Sequence, residues 1–285
     1  MRRSFIFLCF KFAYFYCYLV IYLNHCSAQT IDIDEHDSYR LETIQQKFFM
    51  ENSSQTLEEK IDYFSHCFLL KPYAASPLGE GMAGKYDNDP LFDLESFDCM
   101  TYVEQILALT ISKSANKFLH NLIRIRYKNG NINFGSRNHF VVSDWIENNS
   151  WLFNNITVKI GSKYVLKMYK NIDKGFFLNQ SGIDTTSSIT RHEIDYIPVQ
   201  YSMDVEDKLK TGDIICFVTR KSQVFVNHMG FIVIKNNRIY IRHASKLYNR
   251  VIQEEFEKKI QEISSHTYNA GFLFLRLNPA FALSN

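Results

Sequence analysis

Apolar positions recur at helical spacing in four stretches of the first half of the chain. Residues 39–50 place Leu41, Ile44, Phe48 and Phe49 on one stripe. Residues 57–68 do the same with Ile61, Phe64 and Cys67, behind Ser54 or Thr56 as a cap. A third run opens at Cys99 and continues through Val103, Ile106, Leu107 and Ile111, and a fourth covers residues 116–127 before the turn signal Asn129-Gly130. Periodicity then weakens. Residues 156–197 read as a loop-rich insertion with a helix or two, broken by Ser181-Gly182 and ended by Tyr196-Ile197-Pro198. From Leu209 the spacing becomes that of strands: 214–218, 227–234, 239–245 and 271–277. Lys235-Asn236-Asn237-Arg238 is the turn of a hairpin joining the middle two. The expected class is α+β, with helices first and an antiparallel sheet last, and neither an internal repeat nor a linker divides it.

Composition sharpens this outline. The chain has 285 residues, 46% of them hydrophobic and 15% aromatic, enough for one sizeable core. Its first residues pair Arg2 and Arg3 with an apolar run from Phe12 to Leu23 and the small residues Cys26-Ser27-Ala28, the pattern of an export signal over residues 1–28. The expected mature chain, 29–285, is one catalytic domain with an insertion at about 112–200. A formal charge of +2 argues against a nucleic-acid binder, and no lasting membrane association is expected once the signal is removed. Cleavage leaves Cys67, Cys99 and Cys216, an odd number, so at least one thiol stays unbridged; a Cys67–Cys216 disulfide is conceivable but unsupported by spacing. The absence of a CxxC or Cys/His cluster gives no reason to expect a metal or other cofactor.

Candidate chemistry gathers around Cys99. Asp98 or Ser96 can cap its helix, which puts the thiol in the first turn, where unpaired N–H groups and the helix dipole favour a thiolate. The bland alternative is a small buried core residue. Upstream, the Pro- and Gly-rich loop from Lys71 to Gly81 leads towards this helix, and Tyr73 can line a cleft from it. Arg137, His139 and Trp145 mix basic and aromatic groups that suit sugar or peptide contacts; a packed Trp among surface charges explains them equally well. A thiol nucleophile needs a base, and His228 sits at a strand start beside Gly230, where another backbone or a substrate can approach closely. His243 lies on the returning strand of the same hairpin. A symmetric hairpin centred between Lys235 and Asn236 would set the two histidines side by side, the second holding the first. His120, His139, His192 and His266 have no such partner.

In this order the segments Lys71-Pro72-Tyr73, Phe97-Asp98-Cys99-Met100-Thr101-Tyr102, Arg137-Asn138-His139-Phe140 with Asp144-Trp145, Gly212-Asp213, His228-Met229-Gly230 and Arg242-His243-Ala244-Ser245 resemble the NlpC/P60 superfamily of papain-like cysteine peptidases, most closely its DUF1460 branch of N-acetylmuramoyl-L-alanine amidase-like proteins. The resemblance spans about residues 64–277. It implies a Cys-bearing helix packed on a small antiparallel sheet, with Cys99 as nucleophile, His228 as base and His243 as orienting residue. It also implies that Tyr73 and Asp98 meet the substrate's stem peptide. The implied substrate is peptidoglycan or its muropeptide fragments, cut between N-acetylmuramic acid and L-alanine by a monomer that is periplasmic or secreted from a Gram-negative bacterium. Alternatives are a γ-D-glutamyl stem endopeptidase and an idle wall-binding module. One departure is visible: Lys71 stands where the family usually has Gly before Pro-Tyr, which bears on substrate preference.

Overall fold

A computed structural model describes Ile33, residues 35–51 and residues 56–282. The expected signal, residues 1–28, and the alternative cap Ser54 lie outside the described residues. The leading helices form where the apolar spacing put them: α1 (Glu35–Glu51), α2 (Leu57–Cys67), α3 (Cys99–Thr110) and α4 (Ala115–Arg126). Thr56 caps α2 reciprocally, its hydroxyl accepting from the Glu59 N–H at 3.2 Å while the Glu59 carboxylate accepts from the Thr56 N–H at 3.1 Å.

Eight strands make one antiparallel sheet. They are β1 (Phe153–Asn155), β2 (Leu166–Asp173), β3 (Ile189–Pro198), β4 (Ile214–Thr219), β5 (Val226–Lys235), β6 (Arg238–Ser245), β7 (Arg250–Glu255) and β8 (Asn269–Leu277). The order is β2-β3-β8-β4-β5-β6-β7, with β1 also on β8. Three short or late helices complete it: α5 (Thr157–Gly161), α6 (Lys174–Gln180) and α7 (Phe256–Ser264). Helices cover both faces of the sheet. On one, Tyr102 of α3 meets Phe231 edge-on at 6.2 Å, and Arg242 reaches Asp62 and Ser65 of α2. On the other, Ile215, Phe217, Ile232, Ile241 and Phe272 pack with Phe256 and Ile260 of α7.

Two expectations need correction. The region read as loop-rich holds two long strands, β2 and β3, paired over eight residues from Leu166↔Tyr196 to Asp173↔Ile189. Leu166, Tyr169 and Ile189 stand in solvent, and burial begins only at Ile172, Ile194 and Tyr196. With both faces of most of the ribbon wet, no alternation marked it as sheet. The second correction is register. Asn236 and Asn237 both adopt positive φ, 50° and 58°, as a two-residue turn of the mirror-image type requires. The hairpin therefore centres between those two residues, one step beyond the symmetric expectation, and its ladder runs from Lys235↔Arg238 to Phe231↔Arg242. His243 thus falls opposite Gly230 and diagonal to His228.

Candidate active site

The first turn of α3 is built by Asp98. Its Oδ1 accepts from the Thr101 N–H at 2.7 Å, and the Thr101 hydroxyl accepts from the Asp98 N–H at 3.0 Å. Asp98 is therefore the cap that the sequence left open between it and Ser96. Its second oxygen accepts from the Ser76 N–H at 3.1 Å, which ties the Pro/Gly-rich loop to the helix start. The first helical bond, Tyr102 N–H to Asp98 C=O at 3.0 Å, takes a further donor. The cap leaves over the N–H groups of Cys99 and Met100, which with the Met229 N–H lie at the thiol.

Those three donors do not hold a thiolate. Burial, and behind it the Asp98 carboxylate, pushes the Cys99 thiol up to about 12. The donors expected at the helix start are present and do favour the thiolate, but desolvation outweighs them in the resting site.

The loop before α3 is strapped to the same place. Tyr73 bridges Phe97 in parallel, with the Ala74 N–H donating to Phe97 C=O at 3.1 Å and the Tyr73 N–H to Asn249 C=O at 3.0 Å. Tyr73 consequently stands beside the helix start. Burial, then the neighbouring Cys99 and Asp98, raise its hydroxyl above the usual range. Lys71 forms an ion pair with Glu95 at 2.5 Å, so the departure from Gly adds a side chain that grips the loop leading to Cys99.

The histidine half belongs to the sheet. His228 follows a register shift where Phe217 pairs with it but Val218 pairs with Val226, leaving Asn227 as the extra residue of a bulge. The His228 ring is edge-on to Phe217 at 5.0 Å and to His243 at 4.6 Å. His228 Nε2 and His243 Nδ1 are 2.7 Å apart, a hydrogen bond. Gly230 permits this: a Cβ there would lie 2.7 Å from His243 Cβ and 2.8 Å from the Arg242 carbonyl. Burial, then His243 and Lys259, hold His228 well below the ordinary histidine range, so it is a neutral imidazole. The Met229 N–H at the Cys99 thiol sets the two halves one peptide apart; among the described residues no hydrogen bond joins Cys99 to His228.

Sequence reasoning missed Glu254. Its Oε1 is 2.7 Å from His243 Nε2 and 3.2 Å from Lys259 Nζ of α7. Strand β7 carried only Val251-Ile252 as a signal, and the pairing His243↔Ile252 that brings Glu254 to the ring is not legible without it.

The remaining candidates separate. Arg137 donates to Asp87 at 2.7 Å, and His139 bonds the Phe134 carbonyl at 2.8 Å between the rings of Phe134 and Phe177. Both line a cavity of about 250 Å³ with Lys174 and Phe177. A smaller cavity beside it carries His139 and Phe140 on one wall and Val224 to Val226 on the other, at the strand start two residues before His228. Trp145 is different. It is fully buried in the six-residue π-helix Val141–Ile146, tilted on Phe153 at 4.8 Å, and has no ring face for a ligand. Its reading as a substrate contact is withdrawn. No disulfide joins Cys67, exposed at the end of α2, to Cys216 inside the sheet. Among the described residues no group of three His, Cys, Asp or Glu side chains could hold a metal ion, and no helix is long and apolar enough to cross a membrane.

Comparison with known proteins bears on this geometry. A Legionella pneumophila protein of the DUF1460 family superposes with a TM-score of 0.76 at 22% identity, over 85% of this chain and 96% of its own. An N-acetylmuramoyl-L-alanine amidase from Bacteroides uniformis gives 0.64 at 22% identity, over 78% and 99%. A putative xylanase from Bacteroides fragilis gives 0.60 at 23%, over 74% and 98%. At these identities the likeness is one of fold. No curated relative matches the sequence. The family model for AmiA-like, N-acetylmuramoyl-L-alanine amidase-like proteins matches residues 63–266, a stretch containing the whole Cys99–His228–His243 group, and the chain belongs to that family.

Proposed function

We propose that this protein is an exported cysteine amidase of the NlpC/P60 type that cleaves the amide between N-acetylmuramic acid and L-alanine. The observation that carries the reading is the bonded His228–His243 pair one peptide from a thiol at a capped helix start, in a family of amidase-like proteins. Cys99 Sγ attacks the lactyl carbonyl of the muramic acid while its proton passes to His228. The N–H groups of Cys99, Met100 and Met229 receive the developing oxyanion. The C–N bond breaks, His228 gives the proton to the leaving L-alanine amine, and a muramoyl thioester remains. Water, deprotonated by His228, hydrolyses the thioester and restores the thiol. Since thiol and imidazole are both neutral at rest, proton transfer accompanies attack, and the catalytic hydrogen bond tightens as substrate fills the gap.

Tyr73 offers its hydroxyl to the stem peptide. Asp98 serves first as cap, with one lone pair on each oxygen left for substrate. Arg137 and His139 would meet substrate from the 250 Å³ cavity. The protein acts as a monomer in the periplasm or outside the cell, on peptidoglycan or muropeptides, with residues 29–285 as one catalytic domain.

Mass spectrometry of the products from a defined muropeptide tests this reading. An intact stem peptide with a free L-alanine amine is expected, and Cys99→Ala should abolish its release. A shortened stem would mean a γ-D-glutamyl endopeptidase, and undiminished cleavage by Cys99→Ala would remove the mechanism.

A further inference from the structure

The hydrogen bonds behind His228 have a direction, and a carboxylate sets it. An ionised carboxylate only accepts. Although burial opposes it, the His243 bond and Lys259 hold Glu254 below the ordinary carboxylate range, so it is ionised at neutral pH. His243 must therefore carry its proton on Nε2, which faces Glu254 Oε1 at 2.7 Å. With that single proton the ring presents a lone pair on Nδ1, and that atom is 2.7 Å from His228 Nε2; a second proton, on His243 Nδ1, would reverse the bond. Facing the lone pair, His228 must be the donor, protonated on Nε2. By the same logic its Nδ1 is left bare. One carboxylate, two bonds away, thus decides which nitrogen of His228 is the base.

We infer that Glu254 is a positioning residue of the hydrolytic site, fixing a single tautomer in both histidines so that the bare Nδ1 of His228 receives the thiol proton, and that Lys259 moderates its charge. The inference rests on the Cys99–His228 reading and deepens it.

The surroundings fit such a device. Glu254 Oε1 is shared between the His243 ring and Lys259 Nζ, and Lys259 also bonds Glu262 at 3.1 Å. The charged and titratable groups around His228 are His243 from β6, Glu254 through that ring from β7, and Lys259 from α7, with the Cys99 thiol of α3 at the adjoining Met229 N–H. Phe217 of β4 is a neutral wall. When His228 takes a proton, its positive charge is favoured by Glu254 and opposed by Lys259. The two residues therefore push the base in opposite directions.

The test has two independent readouts on the intact protein. Nitrogen-15 spectra of labelled imidazoles should show both His228 and His243 protonated on Nε2, and Glu254→Leu should return His243 to a tautomer mixture. Kinetics on a muropeptide should then separate charge from shape. Glu254→Leu is expected to lower kcat about 10²-fold with KM little changed. Glu254→Gln keeps volume and an acceptor oxygen; it should restore most of kcat and move the acid limb of kcat/KM to lower pH. Lys259→Met should move that limb to higher pH. A proton on His243 Nδ1 in the unaltered protein overturns the inference, as does an acid limb that neither substitution moves. If no muropeptide is cleaved at all, the functional reading fails while the tautomer spectra still decide the role of Glu254.

Discussion

The two halves of the site are held by different means. The Cys99 half is a backbone device: a capped helix start, two leftover N–H groups and a third from Met229, with the loop of Tyr73 strapped alongside. The histidine half is a side-chain device: two rings and a carboxylate bonded in line across β5, β6 and β7. The first half is set mainly by local sequence, since Asp98 and Thr101 lie within three residues of each other. The second exists only because a hairpin, a bulge and a further strand bring distant residues together. Burial keeps the proton on the thiol in the first half and off the imidazole in the second. In the mechanism we propose, they form a neutral pair that becomes charged only during reaction.

The largest expected effect breaks the histidine half alone. Gly230→Ala sets a Cβ against His243 Cβ and the Arg242 carbonyl, and backbone cannot swing aside as a flexible side chain would. Steady-state kinetics should show a loss of about 10²-fold in kcat, as expected for a catalytic group displaced by about 1 Å. Urea unfolding should show a cost of about 1–3 kcal/mol. Activity equal to the parent would mean that the His228–His243 contact is dispensable.

His139 provides a control for buried neutrality outside the relay. Burial lowers it to about 4, against the opposing pull of the Phe134 carbonyl. Its unfolded value is near 6.5, so the unfolded chain binds the extra proton first as pH falls. The stability it contributes is fully present above about pH 6.5 and is lost towards about pH 4, by about 2 kcal/mol after discounting its partial exposure. Stability followed by urea unfolding should fall across that window, and the fall should shrink in His139→Gln. An unchanged profile in that variant would assign the loss elsewhere.

Asp98 sharpens the cysteine half. Asp98→Ala removes the cap, at about 1 kcal/mol, whereas Asp98→Asn keeps an oxygen to cap the Thr101 N–H while removing the charge and the second acceptor, which Ser76 uses. Both should bring the thiol below about 12, so the pH profile of Cys99 alkylation should move to lower pH in each, while the Ala variant loses the more stability. A profile that stays in place would mean that Asp98 does not act on the thiol.

Legibility follows the same division. Helices α2, α3 and α4 were readable because each has a periodic apolar stripe and a capping residue within a few positions. The His228–His243 contact could be foreseen because a hairpin signal links the two histidines, and the placing of Cys99 in a first turn because a capping residue precedes it. What failed was whatever depends on pairing. The turn at Asn236-Asn237 was recognised, yet its centre was misplaced by one residue, which hid the job of Gly230. Glu254 was invisible without the β6–β7 register. Strands β2 and β3 escaped because a ribbon wet on both faces has no burial to impose alternation. Trp145 misled because an aromatic beside charges looks alike in sequence whether it is buried or open.

Intact-protein mass spectrometry after rapid quenching with a defined muropeptide tests most directly whether the two halves act as one amidase site. A muramoyl group joined to the peptide bearing Cys99 is expected, absent in Cys99→Ala and in His228→Ala. A stem-peptide acyl group on Cys99, or continued turnover with no adduct dependent on His228, would contradict it.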